Sequence, residues 1–225
     1  AAVISHPIQH YSPVFRALAR VPGVAVKVFY FCDHGVRESF DQGFGQAFKW
    51  DVPLLDGYAY EFLRPGHSPQ QFGLRDVDSP ELSGRLDEYQ PHALWVHGYG
   101  QGISWRAVNW ARRHNAAVIY FGDSELVHDR SPLARALKRL VLPWFFRRCD
   151  AFITIGDNNE RYYRHYGVPD HKLSRGACPV DIQRFARARE AVIKGERKAL
   201  RRDFGLPASA FVVALSGKLE PWKRP

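Results

Sequence analysis

Apolar runs of strand length, each followed by a longer stretch of helical period, recur along this chain and restrict its fold more than any other feature. "AAVIS" (1–5) leads into "SPVFRALARV", and "VAVKVFYF" (24–31) comes next. Further on stand "ALWVH" (93–97) with "SWRAVNWARRH", "AAVIYF" (116–121) with "SPLARALKRLVLPWFFRR", and "AFITIG" (151–156) with "NNERYYRHYG". Runs of Val, Ile and aromatic residues that do not alternate with polar ones predict strands buried on both faces, the mark of a parallel sheet covered by helices. The repeated strand-then-helix order predicts an α/β fold built on a Rossmann-like, doubly wound parallel sheet.

Two segments break this rhythm. Residues 33–91 are rich in Gly, Pro and aromatics, and an insertion of that length in a compact domain is usually functional or mobile. Within it "WDVPLL" and "YAYEFL" are short enough for edge strands. After "PVDIQRF" (179–185) the composition turns to charge, "ARAREAVIKGERKALRRDFGLP", and "AFVVALSGKL" (210–219) then predicts a new buried strand. The expected organisation is a first Rossmann-like domain over 1–185, a linker over 186–209 and the start of a second domain over 210–225. With 225 residues and 45% hydrophobic content, the chain can fill a core of that size.

The formal charge of +9 attracts anions: nucleotide phosphates, nucleic acid or an acidic lipid face. No stripe of interleaved aromatic and basic residues accompanies the charge, so a nucleic-acid partner is not expected. No apolar run approaches the roughly 18 to 20 residues that span a bilayer, and no basic-then-apolar leader opens the sequence, so a cytoplasmic protein is expected. Cys32, Cys149 and Cys178 are odd in number and widely spaced, which fits a reducing compartment and gives neither a disulfide framework nor a zinc site.

In an open parallel sheet, ligands gather at the carboxyl ends of the strands, where loops and helix N-termini supply donors. Four polar loops fall there: "SHPIQHYSP", "HGYGQGIS", "FGDSEL" and "GDNNE". Taken singly, Asp123, Ser124 and Asp157 read as helix caps; together the loops read as the rim of a site. His6 and His10 are four apart, but Pro7 and the lack of nearby carboxylates favour a loop over a metal site. Gly98, Gly100 and Gly102 allow close approach of an anion or sugar, yet the spacing is not the dinucleotide fingerprint and NAD is not expected. His97, at the end of its strand, is poised to be a general base or a hydrogen-bond donor, although by position alone such a histidine is more often structural.

The stretch "LARALKRLVLPWFFRR" puts Leu133, Leu137, Leu140, Val141, Trp144 and Phe145 on one face and Arg135, Lys138, Arg139, Arg147 and Arg148 around the other, with a kink expected at Pro143. The ordinary expectation is a core-facing helix with a solvated basic side; contact of 133–148 with an acidic membrane is the alternative. In "SGKLEPWKRP", Gly217, Lys218, Lys223 and Arg224 suit a diphosphate or make a basic surface turn.

Several stretches together, "SHPIQHYSPVFRALA", "FGQAFKWDVPLLDGYAYEFL", "CDAFITIGDNNERYYRHYGVPDHKL" leading to "PVDIQRF", and "GKLEPWK", make the chain resemble the retaining glycosyltransferases of the large GT4 family with GT-B architecture. The resemblance implies transfer of a sugar from a UDP- or GDP-sugar to an acceptor hydroxyl with retention of configuration, without a bound metal or resident cofactor. It implies a glycan or lipid-linked acceptor, work in polysaccharide or glycolipid biosynthesis, and a place at the inner membrane face where the acceptor is lipid-linked. Gly217, Lys218 and Lys223 take the places that grip the donor diphosphate. Lys218 stands where arginine is usual, which loses the bidentate fork. His97 corresponds to the family's histidine near the reacting sugar. The acceptor and cleft side is implied to comprise His6, Gln9, His10, Tyr99, Gly100, Asp123, Ser124 and Glu125. The family's paired glutamates would follow Pro225, so these residues alone are expected to be inactive. A sugar-nucleotide epimerase of similar architecture and a non-catalytic nucleotide- or glycan-binding protein are the competing readings.

Overall fold

The computed structural model describes residues 1–41, 45–67, 69, 72–126 and 131–214, with the backbone alone for 39–41, 48 and 194. In chain order its elements are β1 (Ala2–Ile4), α1 (Ser12–Leu18), β2 (Lys27–Tyr30), β3 (Ser39–Asp41), β4 (Gln46–Phe48), β5 (Ala59–Phe62), α2 (Glu81–Tyr89), β6 (Ala93–His97), α3 (Gly102–His114), β7 (Ala117–Phe121), α4 (Pro132–Phe146), β8 (Ala151–Thr154), α5 (Asp157–His165), β9 (Leu173–Arg175), α6 (Ile182–Ala191) and α7 (Arg197–Asp203). They divide into two units, Ala1–Glu38 with Lys49–Pro179, and Ser39–Phe48 with the chain from Val180 onward.

The first unit is a seven-stranded sheet in the order β5-β2-β1-β6-β7-β8-β9, each neighbouring pair parallel. The period of two along each strand sorts side chains between two faces. Val3, Phe29, Leu94, Val96, Val118, Tyr120 and Phe152 join one buried cluster with residues of α2, α3, α4 and α5. Ala2, Ile4, Val28, Tyr30 and Phe121 join the other with Phe15 of α1, and Trp95 and Ile153 pack against it half-buried. This is the doubly wound, Rossmann-like α/β sheet that the alternation of runs predicts.

The strand order fixes where a ligand can sit. From β1 the chain steps outward through β2 to β5, then returns to the other side of β1 at β6 and continues outward. The loops leaving β1 and β6 therefore part in opposite directions, which opens a crevice at the carboxyl edge between them.

Elsewhere the sequence reading needs correction. "YAYEF" supplies the edge strand β5, but residues 50–55 form an irregular, bent segment rather than a strand. Pro53 has no N–H for a ladder. Its carbonyl and that of Asp56 accept instead from Arg16, at 2.6 and 3.0 Å. The helix α2 and the strand β9 were not foreseen at all. In the second unit, β3 and β4 form an antiparallel hairpin, with Phe40 opposite Ala47. Asp181 caps α6 by accepting from the Arg184 amide at 3.0 Å, and Gly195 (φ 142°) breaks the helical path before α7. The buried strand expected from residue 210 is absent over 210–214, where Phe211 is 93% exposed. No strand among the described residues pairs with that segment, and a lone strand has no partner for its backbone groups. Residues 215–225, among them Gly217, Lys218 and Lys223, lie outside the described residues.

The largest correction concerns α4. Leu133, Leu137, Leu140 and Trp144, expected on the core face, are exposed, while Leu142, Phe145 and Phe146 are buried. The aromatic pair Phe145 and Phe146 packs against Tyr120 at 5.8 and 5.4 Å between ring centroids, and their larger apolar area sets the rotation of the helix. The helix runs through Pro143 to Phe146 as one element.

Candidate functional site at the carboxyl edge of the sheet

His97 ends β6 and lies in register beside Phe121 of β7. Strand alternation turns it to the same face as Trp95, towards α1. There its ring stacks on Phe121, with centroids 5.5 Å apart and planes at 28°. Its Nε2 is 3.0 Å from the hydroxyl of Tyr11, the residue that precedes α1. The turn after it needs a left-handed residue, and Gly98 supplies φ +70° while its amide donates to the Phe121 carbonyl at 2.8 Å. Ser104 in the first turn of α3 donates to the His97 carbonyl at 3.2 Å.

His6 enters from the loop after β1. Its Nδ1 lies 3.0 Å from the Ser5 hydroxyl, and its ring meets His34 edge-on at 5.2 Å and Phe72 at 4.8 Å. Burial lowers its pKa from 6.5 to about 3, with further repulsion from His34 and His97. Burial likewise lowers His97 to about 4; Asp123 opposes the shift and His10 adds to it. His10 is lowered by burial too. The Tyr11 phenol is raised, by burial first and then by Asp123 and Cys178. At neutral pH the bond between Tyr11 and His97 thus joins an uncharged phenol to an uncharged imidazole. Gln9 sits half-exposed between the two histidines of the loop.

The loop after β7 is tied down by α5. Asn159 Nδ2 donates to the carbonyls of Gly122 (3.0 Å) and Ser124 (2.8 Å), its Oδ1 accepts from the Ile155 amide (3.2 Å), and the Tyr163 hydroxyl donates to Gly122 (2.8 Å). Asp123 and Ser124 are therefore not helix caps: α4 begins only at Pro132, and Ser131 caps it by accepting from Ala134 at 3.2 Å. Nor does Asp157 cap α5, whose cap position is Gly156; its carboxylate pairs with Arg175 at 2.5 Å. Asp123, Glu125, Asp157, Asn158 and Asn159 instead line a cleft of about 370 Å³ with Ile155 and Gly156.

A third cluster joins the loop after β6 to α4 and α5. The hydroxyls of Tyr99 and Tyr162 are 2.6 Å apart, and Lys138 Nζ lies 5.5 and 5.8 Å from their ring centroids. Burial pushes the Tyr99 phenol up, but hydrogen bonds from Lys138, Tyr162 and Ser124 outweigh it and lower its pKa. Trp105 Nε1 holds the Tyr99 carbonyl at 2.7 Å. Gly100 is exposed beside this cluster. The close approach of residues 74–78 excludes any side chain at Gly102, where a Cβ would stand 2.6 Å from the Leu74 carbonyl oxygen.

The fold brings His6, His10 and Asp123 within electrostatic reach of His97. It sets Tyr99 apart, on the α4 side, and places Glu125 in the cleft with Asp123. Sequence reasoning missed Tyr11, His34, Phe72, Lys138, Tyr162 and Asn159 as neighbours of these residues. Tyr11 and Asn159 lay inside the quoted loops; the others are remote in sequence and carried no local signal. Among the described residues, no group of three or more His, Cys, Asp or Glu can hold a metal ion, and no helix is long and apolar enough to cross a membrane.

The model of the glycosyl transferase 4-like domain matches residues 14–175, from α1 to the end of β9. No curated protein sequence matches the chain. Among solved structures, UDP-N-acetylglucosamine 2-epimerase from Rickettsia bellii is similar at 11% identity and a TM-score of 0.49, over 92% of this chain and 51% of that one. The chain thus spans about half the length of that protein.

Proposed function

The chain belongs to the glycosyl transferase 4-like family, and on that premise we propose that it forms the acceptor-side domain of an enzyme that moves a sugar from a nucleotide-sugar to an acceptor hydroxyl with retention of configuration. The donor is a UDP- or GDP-sugar and the acceptor a glycan or lipid-linked glycan, as in polysaccharide or glycolipid assembly. The observation that carries the reading is the His97–Tyr11 pair at the crevice between β1 and β6, beside Asp123.

At a pKa of about 4, His97 offers a hydrogen bond at neutral pH rather than a sink for a proton. Its role is to hold a hydroxyl of the donor sugar or orient the acceptor. As the glycosidic bond breaks, negative charge grows on the leaving diphosphate, and Lys218 and Lys223 stabilise that charge more than the ground state. His6, Gln9 and His10 border the diphosphate and the acceptor, and with Tyr99, Gly100, Asp123, Ser124 and Glu125 they make up the acceptor and cleft side.

The test is a product analysis of the full-length protein with UDP-, GDP-, ADP- and TDP-sugars, with and without acceptor. A glycosylated acceptor with unchanged anomeric configuration by NMR is expected. His97→Ala should lower kcat about a hundredfold, and Lys223→Ala should lower kcat and kcat/KM for the donor together. Unchanged turnover in His97→Ala removes the histidine from the mechanism. An altered sugar nucleotide formed without acceptor establishes the epimerase instead, and binding without turnover establishes a non-catalytic protein.

A further inference from the structure

α4 carries two apolar faces, and among the described residues only one of them is covered. Leu142, Phe145 and Phe146 enter the core, yet Leu133, Leu137 and Leu140 are 80%, 60% and 77% exposed and Trp144 39%. These four recur at intervals of four, three and four residues, which at about 100° per residue places them on one narrow stripe. From Leu133 to Trp144 the stripe is about 16 Å long, too short to cross a bilayer and long enough to lie on one.

The charge around the stripe names what covers it. From Ser131 to Cys149 the sequence holds no acidic residue and five basic ones, Arg135, Lys138, Arg139, Arg147 and Arg148. Arg135, Arg139 and Arg147 are exposed and make no ion pair among the described residues. The Arg148 guanidinium lies 3.4 Å over the Trp144 ring, at the end of the stripe. A neutral apolar partner would bury the leucines and leave the guanidinium groups unmatched. A surface that offers hydrocarbon beneath a layer of phosphates matches both, with Trp144 at the boundary between them.

We propose that the outward face of α4 docks on an anionic lipid surface. On the transferase reading, to which this adds a partner, docking has a consequence for the site. Lys138 of the same helix lies over Tyr99 and Tyr162, beside the loop that follows His97. Docking then holds that loop near the headgroups, where a lipid-anchored acceptor presents its hydroxyl.

Co-sedimentation of the full-length protein with phosphatidylcholine vesicles, with and without phosphatidylglycerol, tests the docking directly. Binding is expected only with phosphatidylglycerol present and should fall with added salt. Leu137→Ser with Leu140→Ser should weaken it about tenfold or more, as should Arg135→Glu with Arg139→Glu. Neither pair should change the melting temperature, since these side chains lie outside the core. Absence of binding, or binding undiminished by both pairs, overturns the proposal. So does a dimer that the serine pair disperses while vesicles are ignored, which would make a second copy the occupant. The assay needs no donor, acceptor or turnover, so its result stands apart from that of the transferase test.

Discussion

A histidine at the end of a strand is legible in sequence, but its protonation is set by what surrounds it. "ALWVH" places His97 at the carboxyl edge, while its pKa of about 4 follows from burial against Phe121 and Tyr11, both far away in the chain. His6 and His97 titrate below their ordinary 6.5 when folded. The folded state therefore binds fewer protons than the unfolded one between about pH 4 and pH 6.5, and stability rises with pH across that window. On account of these two histidines the melting temperature should fall as the pH drops from about 6.5 towards 4. His97→Gln, which keeps a hydrogen-bonding side chain without the titration, should lessen that fall in pH-dependent thermal denaturation. The carboxylate of Glu160, also lowered on folding, adds to the same fall below about pH 4.5. Arg175 chiefly, with Thr154 and Arg164, holds its pKa to about 2 against burial, so it stays ionised throughout this window.

Among elements, α4 separates residue type from residue role. Phe145 and Leu137 both looked core-facing in sequence, and the fold buries one and exposes the other. Phe145→Ala should cost about 3 to 5 kcal/mol by leaving a cavity beside Tyr120. Leu137→Ala should stay within about 0.5 kcal/mol, as exposed substitutions do. Chemical denaturation of the two variants measures the difference. At the junction of β7 and α5, Asn159 satisfies two carbonyls and one amide that secondary structure leaves unpaired. Asn159→Ala should cost about 1 to 3 kcal/mol and raise hydrogen exchange at residue 155, the amide it releases. "GDNNE" pointed to a polar loop, but only the approach of α5 to residues 122–124 shows which asparagine carries the bonds. The helix α2 was missed although "SPELSGRLDEY" has an acidic first turn, because the surrounding glycines and prolines read as irregular chain.

For the molecule as a whole, the sheet order decides which loops can share a site. The loops after β1, β6 and β7 come together because β1 lies between β2 and β6 and β7 follows β6. The first unit has its own sheet and both of the large buried clusters, so a chain ended at Pro179 should fold by itself. Circular dichroism and one cooperative melt would show it; loss of the melt would mean that the remaining segments are needed. The α/β class, the strands β1, β2, β6, β7 and β8, the helices α1, α3, α4 and α5, and the polar loops at strand ends were all determined by the sequence itself. Each rests on periodicity and on residues adjacent in the chain, which fix local backbone and the direction of side chains. Only the tertiary structure decided that His97 is neutral, that Tyr99 belongs with Tyr162 and Lys138, that residues 50–55 turn back onto Arg16, and that α4 shows its leucines to solvent. Those properties depend on burial and on partners tens of residues distant, and no local pattern encodes which of two apolar faces finds the larger surface to cover.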